Sequence, residues 1–285
     1  MAATICREVP SRPWPLHKAP GGAPALSCTA MNASPRPVAL VTGAARRLGA
    51  AIARGLHAAG YDLALHYRHS AADMQALADE LDTARSGSVF TLQADLAQFD
   101  RLPELVAQTV GRFGRVDALV NNASGFTPTP LGAVTPAQWD TLFASNARAP
   151  FFLAQAAAPH LAAAHGAIVN LLDIHAQRPL RDHAVYCMAK AALAMATRSL
   201  ALELAPDVRV NAIAPGAILW PEQPAPAEAA GDTDDARRAA LLARTPLGRT
   251  GTPEEIAGAV RWLLQDATYC TGEILRLDGG RLLEG

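Results

Sequence analysis

A tyrosine and a lysine four residues apart, Tyr186 and Lys190, form the strongest chemical pattern in the sequence. On a helix, residues at i and i+4 lie on one face, so the phenol and the ammonium would be neighbours. A free tyrosine has a pKa of about 10, and we expect a nearby ammonium to lower this pKa. Tyr186 could then donate a proton to a group that receives a hydride from a cofactor. The alternative is an ordinary helix face that carries this pair by chance.

An acid, Asp173, lies thirteen residues before the tyrosine in the stretch DIHAQRPLRDHAVYCMAK. An ionised carboxylate only accepts hydrogen bonds, so it cannot donate to a substrate carbonyl. It suits a substrate that presents N–H donors or needs a proton passed to a ring nitrogen. The alternative is an inactive site in which the functional residue has been substituted. His175 and His183 flank the pattern, and we assign neither an acid–base role nor a metal site.

A glycine-containing loop, TGAARRLG, covers Thr42 to Gly49 and follows a short apolar run. A helix that starts here would offer unpaired N–H groups and a partial positive charge to a pyrophosphate. Gly43 permits a sharp turn and Gly49 permits close packing, but Arg47 occupies the place of a middle glycine. An ordinary strand–helix turn is the alternative.

The next apolar run ends in HYRHS, residues 66–70, without an acid. An acid at this place binds the adenosine ribose and favours NAD, so its absence favours NADPH. Arg68, His69 and Ser70 can hold a 2′-phosphate, with the arginine supplying charge and several donors. A solvated polar turn is the alternative. Asp95 is placed to accept from the adenine amine or, equally, to begin the next helix.

The elements that must position these residues alternate along the chain. Short apolar runs such as PVALVT, YDLALHY and VDALVNNA alternate with helical patterns of 10 to 15 residues. This order predicts an α/β fold: one doubly wound Rossmann-type domain with a parallel sheet of about seven strands. One long helix is expected over PAQWDTLFASNARAPFFLAQAAAPHL, and residues 220–238 are expected to form an irregular lid or loop within a substrate loop near 217–245.

Three motifs in order carry a family resemblance: the loop after the first strand, NNAS after the fourth, and Tyr186-x3-Lys190. The chain resembles the short-chain dehydrogenase/reductase family over roughly residues 37–285. TGAARRLG, HYRHS, NNASGFTPTPLG and Asp173 together look like the motifs of pteridine reductases. Most of the wider family has serine at the place of Asp173, so this departure supports the narrower resemblance.

The resemblance implies roles for further residues. Asn146 helps to hold the active-site helix and a water that passes protons to Lys190, or else is a buried asparagine that satisfies backbone groups. Phe126 stacks on the pterin face opposite the nicotinamide, or else is buried beneath a proline-rich loop. Arg47 reaches the pyrophosphate and a ring oxygen, or else lies on the helix surface. Ser124 contacts the cofactor or substrate, Lys190 binds the nicotinamide ribose, and the remaining cofactor contacts are Leu48, Asn122 and Ala123.

Composition limits the other functional classes. The chain has 25 basic and 26 acidic residues and a formal net charge of -1, so no polybasic block predicts nucleic-acid or membrane binding. No apolar run approaches the about 18 residues of a membrane helix. Four scattered cysteines predict neither disulfides nor a metal site and fit a reducing cytoplasm. Residues 1–36 are predicted to be a flexible tail before the domain at 37–285, and Met31 could be the true start.

The prediction from the sequence is therefore an NADPH-dependent reductase of pterins that acts on dihydropterin, with oxidised pterin and dihydrofolate as further candidate substrates. A homo-oligomer, most simply a tetramer, is implied by the resemblance. Two rival hypotheses are a carbonyl or 3-oxoacyl reductase of the same family and a non-catalytic nucleotide-binding protein. Asp173 counts against the first rival, and the intact Tyr186 and Lys190 count against the second.

Overall fold

The structure, a computed structural model, describes residues 35–218 and 234–284, apart from the side chains of Asp234 and Arg237. Seven strands form one sheet in which every neighbouring pair is parallel. This confirms the predicted α/β fold. The strands are β1 (Val38–Val41), β2 (Asp62–Tyr67), β3 (Val89–Gln93), β4 (Ala118–Asn121), β5 (Ala167–Leu171), β6 (Arg209–Pro215) and β7 (Ile274–Leu277).

The strand order β3-β2-β1-β4-β5-β6-β7 places a change of winding direction between β1 and β4. Val41, the last residue of β1, pairs with Leu65 on one side and Val120 on the other. The carboxyl ends of these strands therefore lie together at one edge of the sheet. In open α/β sheets ligands bind in the crevice at this point.

Eight α-helices connect the strands in the described part of the chain, and most bounds match the sequence pattern. They are α1 (Arg47–Ala58), α2 (Ala71–Ala84), α3 (Leu102–Phe113), α4 (Pro136–Phe143), α5 (Ala149–Ala163), α6 (Ala184–Leu204), α7 (Asp234–Ala243) and α8 (Pro253–Gln265). Gly60, at φ 96°, follows the end of α1 and acts as the predicted stop.

The sheet is covered on both faces, which explains why its strands read as continuous apolar runs. In β1, Val38 and Leu40 belong to one apolar cluster, whereas Ala39 and Val41 belong to the other. All four side chains are fully buried. The alternating directions of side chains along a strand thus give the fold two cores, one on each face.

Two predicted elements differ from the structure. The expected long helix is divided by one turn of π-helix, Ala144–Arg148, between α4 and α5. Pro150 has no N–H to donate to the Asn146 carbonyl four residues earlier, so one regular α-helical hydrogen bond is missing where the π turn meets α5. The segment 220–238 is not irregular throughout, because α7 begins at Asp234. Residues 219–233 and the predicted tail up to residue 34 lie outside the described residues.

Candidate active site

The loop after β1 needs its two glycines for steric reasons. Gly43 has φ +62°, and a Cβ there would lie 2.9 Å from the Cα of Ala123. A Cβ on Gly49 would lie 2.1 Å from the Gly43 carbonyl oxygen, closer than any real contact. Arg47 has φ 53°, a left-handed conformation that favours glycine. This explains why related loops could use a glycine at the position that Arg47 holds.

The start of α1 has the features of an anion site. Its N-cap residue, Arg46, makes no capping hydrogen bond through its side chain, and the first turn contains no acidic residue. The first N–H groups of the helix therefore lack the side-chain acceptors that usually satisfy them. Together with the helix dipole they favour a phosphate oxygen at this place.

Two side chains hold the loop to neighbouring strands. The backbone N–H of Gly43 donates to Nδ1 of His66 at 3.2 Å, and Nε2 of His66 lies 3.1 Å from the Ala94 carbonyl. His66 is buried, and burial lowers its pKa, so the ring stays neutral and can accept from Gly43. Asn122 donates from Nδ2 to the carbonyl oxygens of Thr42 and Gly43 at 2.8 and 2.9 Å. Asn122 was predicted as a cofactor contact, whereas no pattern in the sequence singles out His66.

A cleft of about 650 Å³ lies above the carboxyl edge of the sheet. It brings together all the residues that the sequence predicted for the cofactor except Lys190, and three of the five that it predicted for the substrate. Its lining includes Gly43, Arg47, Leu48, Gly49, Arg68, His69, Ser70, Asp95, Asn122, Ala123, Ser124 and Phe126. Residues separated by up to about a third of the chain thus face one space, although the individual ligand contacts stay predictions.

Two charged residues of this cleft have partners within the protein. Oδ1 of Asp95 accepts from the Ala97 N–H at 2.9 Å and so begins a turn. Asp95 does not begin the next helix, as its second predicted role required, because the N-cap residues there are Gln98 and Arg101. That bond leaves Oδ2 for a ligand amine, which is compatible with the first predicted role. Arg46 lines the same cleft and lies 3.7 Å from Asp73 of α2. Arg46 was not predicted as a site residue, although its position next to Arg47 in the sequence was a signal for a second cation.

Asp173, Tyr186 and Lys190 meet where β5 ends against α6. The Tyr186 hydroxyl donates to Oδ2 of Asp173 at 2.8 Å. Oδ1 of Asp173 accepts from the His175 N–H at 2.8 Å and caps the short 3₁₀ turn Ile174–Ala176. Lys190 donates from Nζ to the Leu171 carbonyl oxygen, also at 2.8 Å. The carboxylate is therefore fixed by backbone on one side and by the phenol on the other.

The pKa values of this group are shifted by burial. The pKa of Tyr186 is raised, first because the phenol is buried and then because the Asp173 carboxylate opposes a second negative charge. Burial lowers the pKa of Lys190 to about 8, and the Asp173 charge partly opposes that change. The expectation that Lys190 lowers the tyrosine pKa is thus not supported. Lys190 Nζ lies 5.8 Å from the ring centroid, whereas the carboxylate contacts the hydroxyl directly.

Phe126 and His183 form an aromatic wall beside the tyrosine. Phe126 is 54% exposed, which excludes the alternative of a phenylalanine buried beneath the loop. Its ring meets Tyr186 edge-on with centroids 4.8 Å apart and stacks on His183 at 4.5 Å. A flat ring bound against the exposed part of Phe126 would lie close to the Tyr186 side chain. His183, to which we assigned no role, therefore supports the wall through stacking.

Asn146 connects the cleft to the helix interruption. Its Nδ2 donates to the carbonyl oxygens of Gly125 and Leu142 at 2.8 and 2.9 Å, and its Oδ1 accepts from the Ser124 hydroxyl at 2.7 Å. Asn146 is almost fully buried. These bonds agree with the predicted alternative of a buried asparagine that satisfies backbone groups. They also hold Ser124 at the cleft. The Ser124 hydroxyl lowers the pKa of Tyr186, but burial of the phenol and the Asp173 carboxylate raise that pKa by more.

Comparison with known proteins identifies the family. A family model described as Enoyl-(Acyl carrier protein) reductase matches residues 43–281, most of the described chain. The chain belongs to the short-chain dehydrogenase/reductase family. Among its relatives in this family, pteridine reductase 1 of Leishmania tarentolae is 39% identical over 88% of this chain and 98% of the relative.

Other members of the short-chain dehydrogenase/reductase family are similarly close. A 3-oxoacyl-[acyl-carrier-protein] reductase of Synechocystis sp. is 34% identical over 89% of this chain and all of the relative. L-xylulose reductase of Bos taurus is 37% identical over 86% of this chain and 96% of the relative. Membership in the family establishes an NAD(P)-dependent reductase that acts on a small molecule. Within residues 35–218 and 234–284, no helix is long and apolar enough to cross a membrane.

Proposed function

We propose that the protein reduces pterins, converting a dihydropteridine to a tetrahydropteridine with NADPH. The observation that carries the proposal is the direct hydrogen bond between the Tyr186 hydroxyl and Asp173, beside the exposed ring of Phe126. A carboxylate at this place accepts from ring N–H groups, and an aromatic face suits a flat heterocycle. Reduction of oxidised pterin or dihydrofolate would use the same groups.

The cleft fits a dinucleotide. The tight turn at Gly43 and Gly49 and the uncapped start of α1 suit a pyrophosphate. The end of β2 presents Arg68, His69 and Ser70 to the cleft, without an acid that would repel a 2′-phosphate. These features support NADPH over NADH.

In the proposed reaction Tyr186 is the proton donor. NADPH bound in the cleft would supply the hydride for the carbon of the substrate C=N group. Because its pKa is raised, Tyr186 keeps its proton until the adjacent ring nitrogen gains charge density. Asp173 orients the phenol and accepts from substrate N–H groups. One N–H of the Lys190 ammonium donates to the Leu171 carbonyl oxygen, which leaves two N–H donors for the ribose hydroxyls.

The rival assignment to carbonyl or 3-oxoacyl reduction is supported by the similarity to the Synechocystis protein. Steady-state rates with 7,8-dihydrobiopterin and with a 3-oxoacyl thioester, each with NADPH and with NADH, test both assignments. We expect kcat/KM for dihydrobiopterin with NADPH to exceed the other combinations by at least about tenfold, equivalent to roughly 1.4 kcal/mol in the transition state. Turnover of the thioester alone would refute the pterin assignment. A cytoplasmic location and a tetramer stay predictions.

A further inference from the structure

A second cavity, of about 140 Å³, lies beside the turn that follows Asp173. Three arginines line it: Arg178, Arg244 and Arg281. In the described part of the chain, none of these guanidinium groups forms a close ion pair with a carboxylate. Three like charges thus converge on one small space, an arrangement that is unfavourable unless an anion is bound there.

The two acids whose charges act on Arg281, Asp173 and Asp278, do not neutralise the cluster. Arg178 donates to the backbone carbonyl of Glu284 at 3.0 Å, which is not a charged partner. Asp278 accepts from the backbone N–H groups of Gly280 and Leu282, one on each carboxylate oxygen, both at 2.9 Å. Asp173 is engaged by Tyr186 and by backbone, as described above. Burial and the charges of Arg244 and Arg178 lower the pKa of Arg281, and Asp173 and Asp278 only partly oppose this. Arginine nevertheless stays charged at neutral pH, so the cluster keeps its positive charge.

The position of the cavity relates it to the substrate. Ile174 and His175 form part of its wall and directly follow Asp173 in the chain. Arg244 follows the last residue of α7, within the segment 217–245 that the sequence predicts to recognise substrate. The pyrophosphate region is in the other cleft, at Gly43 and Gly49, so this cluster is separate from the proposed cofactor phosphates.

We propose that the arginine cavity binds an anionic substituent, a carboxylate or a phosphate, on the pterin substrate. This inference rests on the proposed pterin reduction. The guanidinium fork matches the paired oxygens of both anions. The enzyme is therefore selective for pterins with a charged side chain, such as dihydrofolate with its glutamate carboxylates or a dihydropterin phosphate ester, over neutral dihydrobiopterin.

The test compares substrates and arginine variants. In the wild-type enzyme, kcat/KM is measured for dihydrofolate, dihydroneopterin phosphate and dihydrobiopterin. The same rates are measured for Arg244→Gln and for the double variant Arg244→Gln/Arg281→Gln. We expect the ratio of an anionic substrate to dihydrobiopterin to fall about 10- to 100-fold, mainly through KM, because charge-assisted bonds are lost. Whichever anionic substrate loses more identifies the source of the anion.

Arg261→Gln is the matched control, because it removes one arginine charge from α8, where Arg261 pairs with Asp266 at 3.3 Å. This variant should leave the substrate ratio within about twofold of wild type, as expected for a remote surface change. If the cavity variants also keep the wild-type ratio, or if Arg261→Gln changes it equally, the inference is wrong.

A binding measurement separates this inference from the proposed function. N-(4-aminobenzoyl)glutamate carries the two carboxylates of dihydrofolate but has no pterin ring. By calorimetry, we expect this compound to bind the wild-type protein and Arg261→Gln with similar affinity. The Kd for the double variant Arg244→Gln/Arg281→Gln should be at least about tenfold higher, which is one unit in log Kd. Binding of this kind without turnover of any pterin would refute the proposed function while supporting the cavity. Equal binding to all three proteins would refute the cavity itself.

Discussion

Replacing Asp173 with serine should affect the rate of pterin reduction much more than the rate of ketone reduction. Serine is itself a good cap, so the 3₁₀ turn that now begins with the Asp173–His175 hydrogen bond can be kept. The variant loses the negative charge that contacts the Tyr186 hydroxyl at 2.8 Å. A serine hydroxyl can donate to a carbonyl oxygen, but it cannot supply the charged acceptor that a pterin N–H needs.

The expected loss is large for one substrate and absent for the other. Removing a group that acts in proton transfer typically reduces the rate by about 10²–10⁴, so kcat/KM for dihydrobiopterin should fall by that factor. This corresponds to roughly 3–5 kcal/mol of transition-state stabilisation. Activity on an activated ketone should not fall, because a ketone offers Asp173 no donor and the variant removes the charge that opposes a Tyr186 phenolate. Tyr186→Phe is the control, because both reactions need its proton and both should be severely impaired.

The same variant has a spectroscopic consequence. The Asp173 carboxylate contributes to the raised pKa of Tyr186, so the pKa should fall in Asp173→Ser. Phenol ionisation followed by ultraviolet absorbance, with Tyr186→Phe subtracted to isolate this tyrosine, measures the change. If Asp173→Ser keeps full pterin activity, or if the tyrosine pKa does not fall, the assigned role of the carboxylate is wrong.

Three further predictions concern the cofactor and the buried lysine. Arg68→Ala should weaken NADPH binding roughly tenfold to a hundredfold, because one charge-assisted contact of about 1.5–3 kcal/mol is lost. The affinity for NADH should stay almost unchanged, and equal losses for both cofactors would contradict the 2′-phosphate assignment. Gly49→Ala would place a Cβ 2.1 Å from a carbonyl oxygen, so it should destabilise the fold by about 1–3 kcal/mol and reduce NADPH affinity. Its control, Gly111→Ala, adds a methyl group with nothing within 4 Å on α3 and should be neutral or stabilising in thermal unfolding; similar melting temperatures for both variants would contradict the steric argument. The pKa of Lys190 is about 8 in the folded protein and 10.5 in the unfolded chain. Between pH 8 and 10.5 the unfolded state therefore binds more protons than the folded state. The contribution of Lys190 to the free energy of unfolding consequently rises with pH over this range. Chemical denaturation of wild type and Lys190→Met from pH 7 to 10 should show this rise in wild type only, and parallel curves would refute it.

Much of the fold could be predicted because each element satisfies a local rule. Buried parallel strands are apolar on both faces, and β1 and β4 show this in sequence. The π turn at Ala144–Arg148 was missed because the apolar pattern continues through it, although a proline four residues after Asn146 was a readable sign. The start of α7 was missed because the charged residues at its beginning continue the polar composition of the preceding segment, although the apolar residues of this helix do have helical spacing.

The candidate site was predictable where a residue acts directly on a ligand, and less so where it acts through tertiary contacts. The glycine loop and the Tyr186–Lys190 pair have fixed spacings that sequence shows. His66 acts by accepting from Gly43, a contact that exists only after β1 and β2 pair. The cluster of Arg178, Arg244 and Arg281 joins residues from three separate segments, so no local pattern could indicate it.

The Tyr186–Asp173 hydrogen bond also limits which substrate this site can reduce. If Tyr186 gave its proton to a ketone, a buried phenolate would remain 2.8 Å from a carboxylate, and two anions at that distance repel strongly. Lys190, with Nζ 5.8 Å from the ring centroid, compensates only in part. A substrate with N–H donors changes this balance, because it can bind the carboxylate and offset its charge as the proton leaves. The site is therefore expected to work with a nitrogen heterocycle and to be a poor catalyst for ketones, which offer Asp173 no donor.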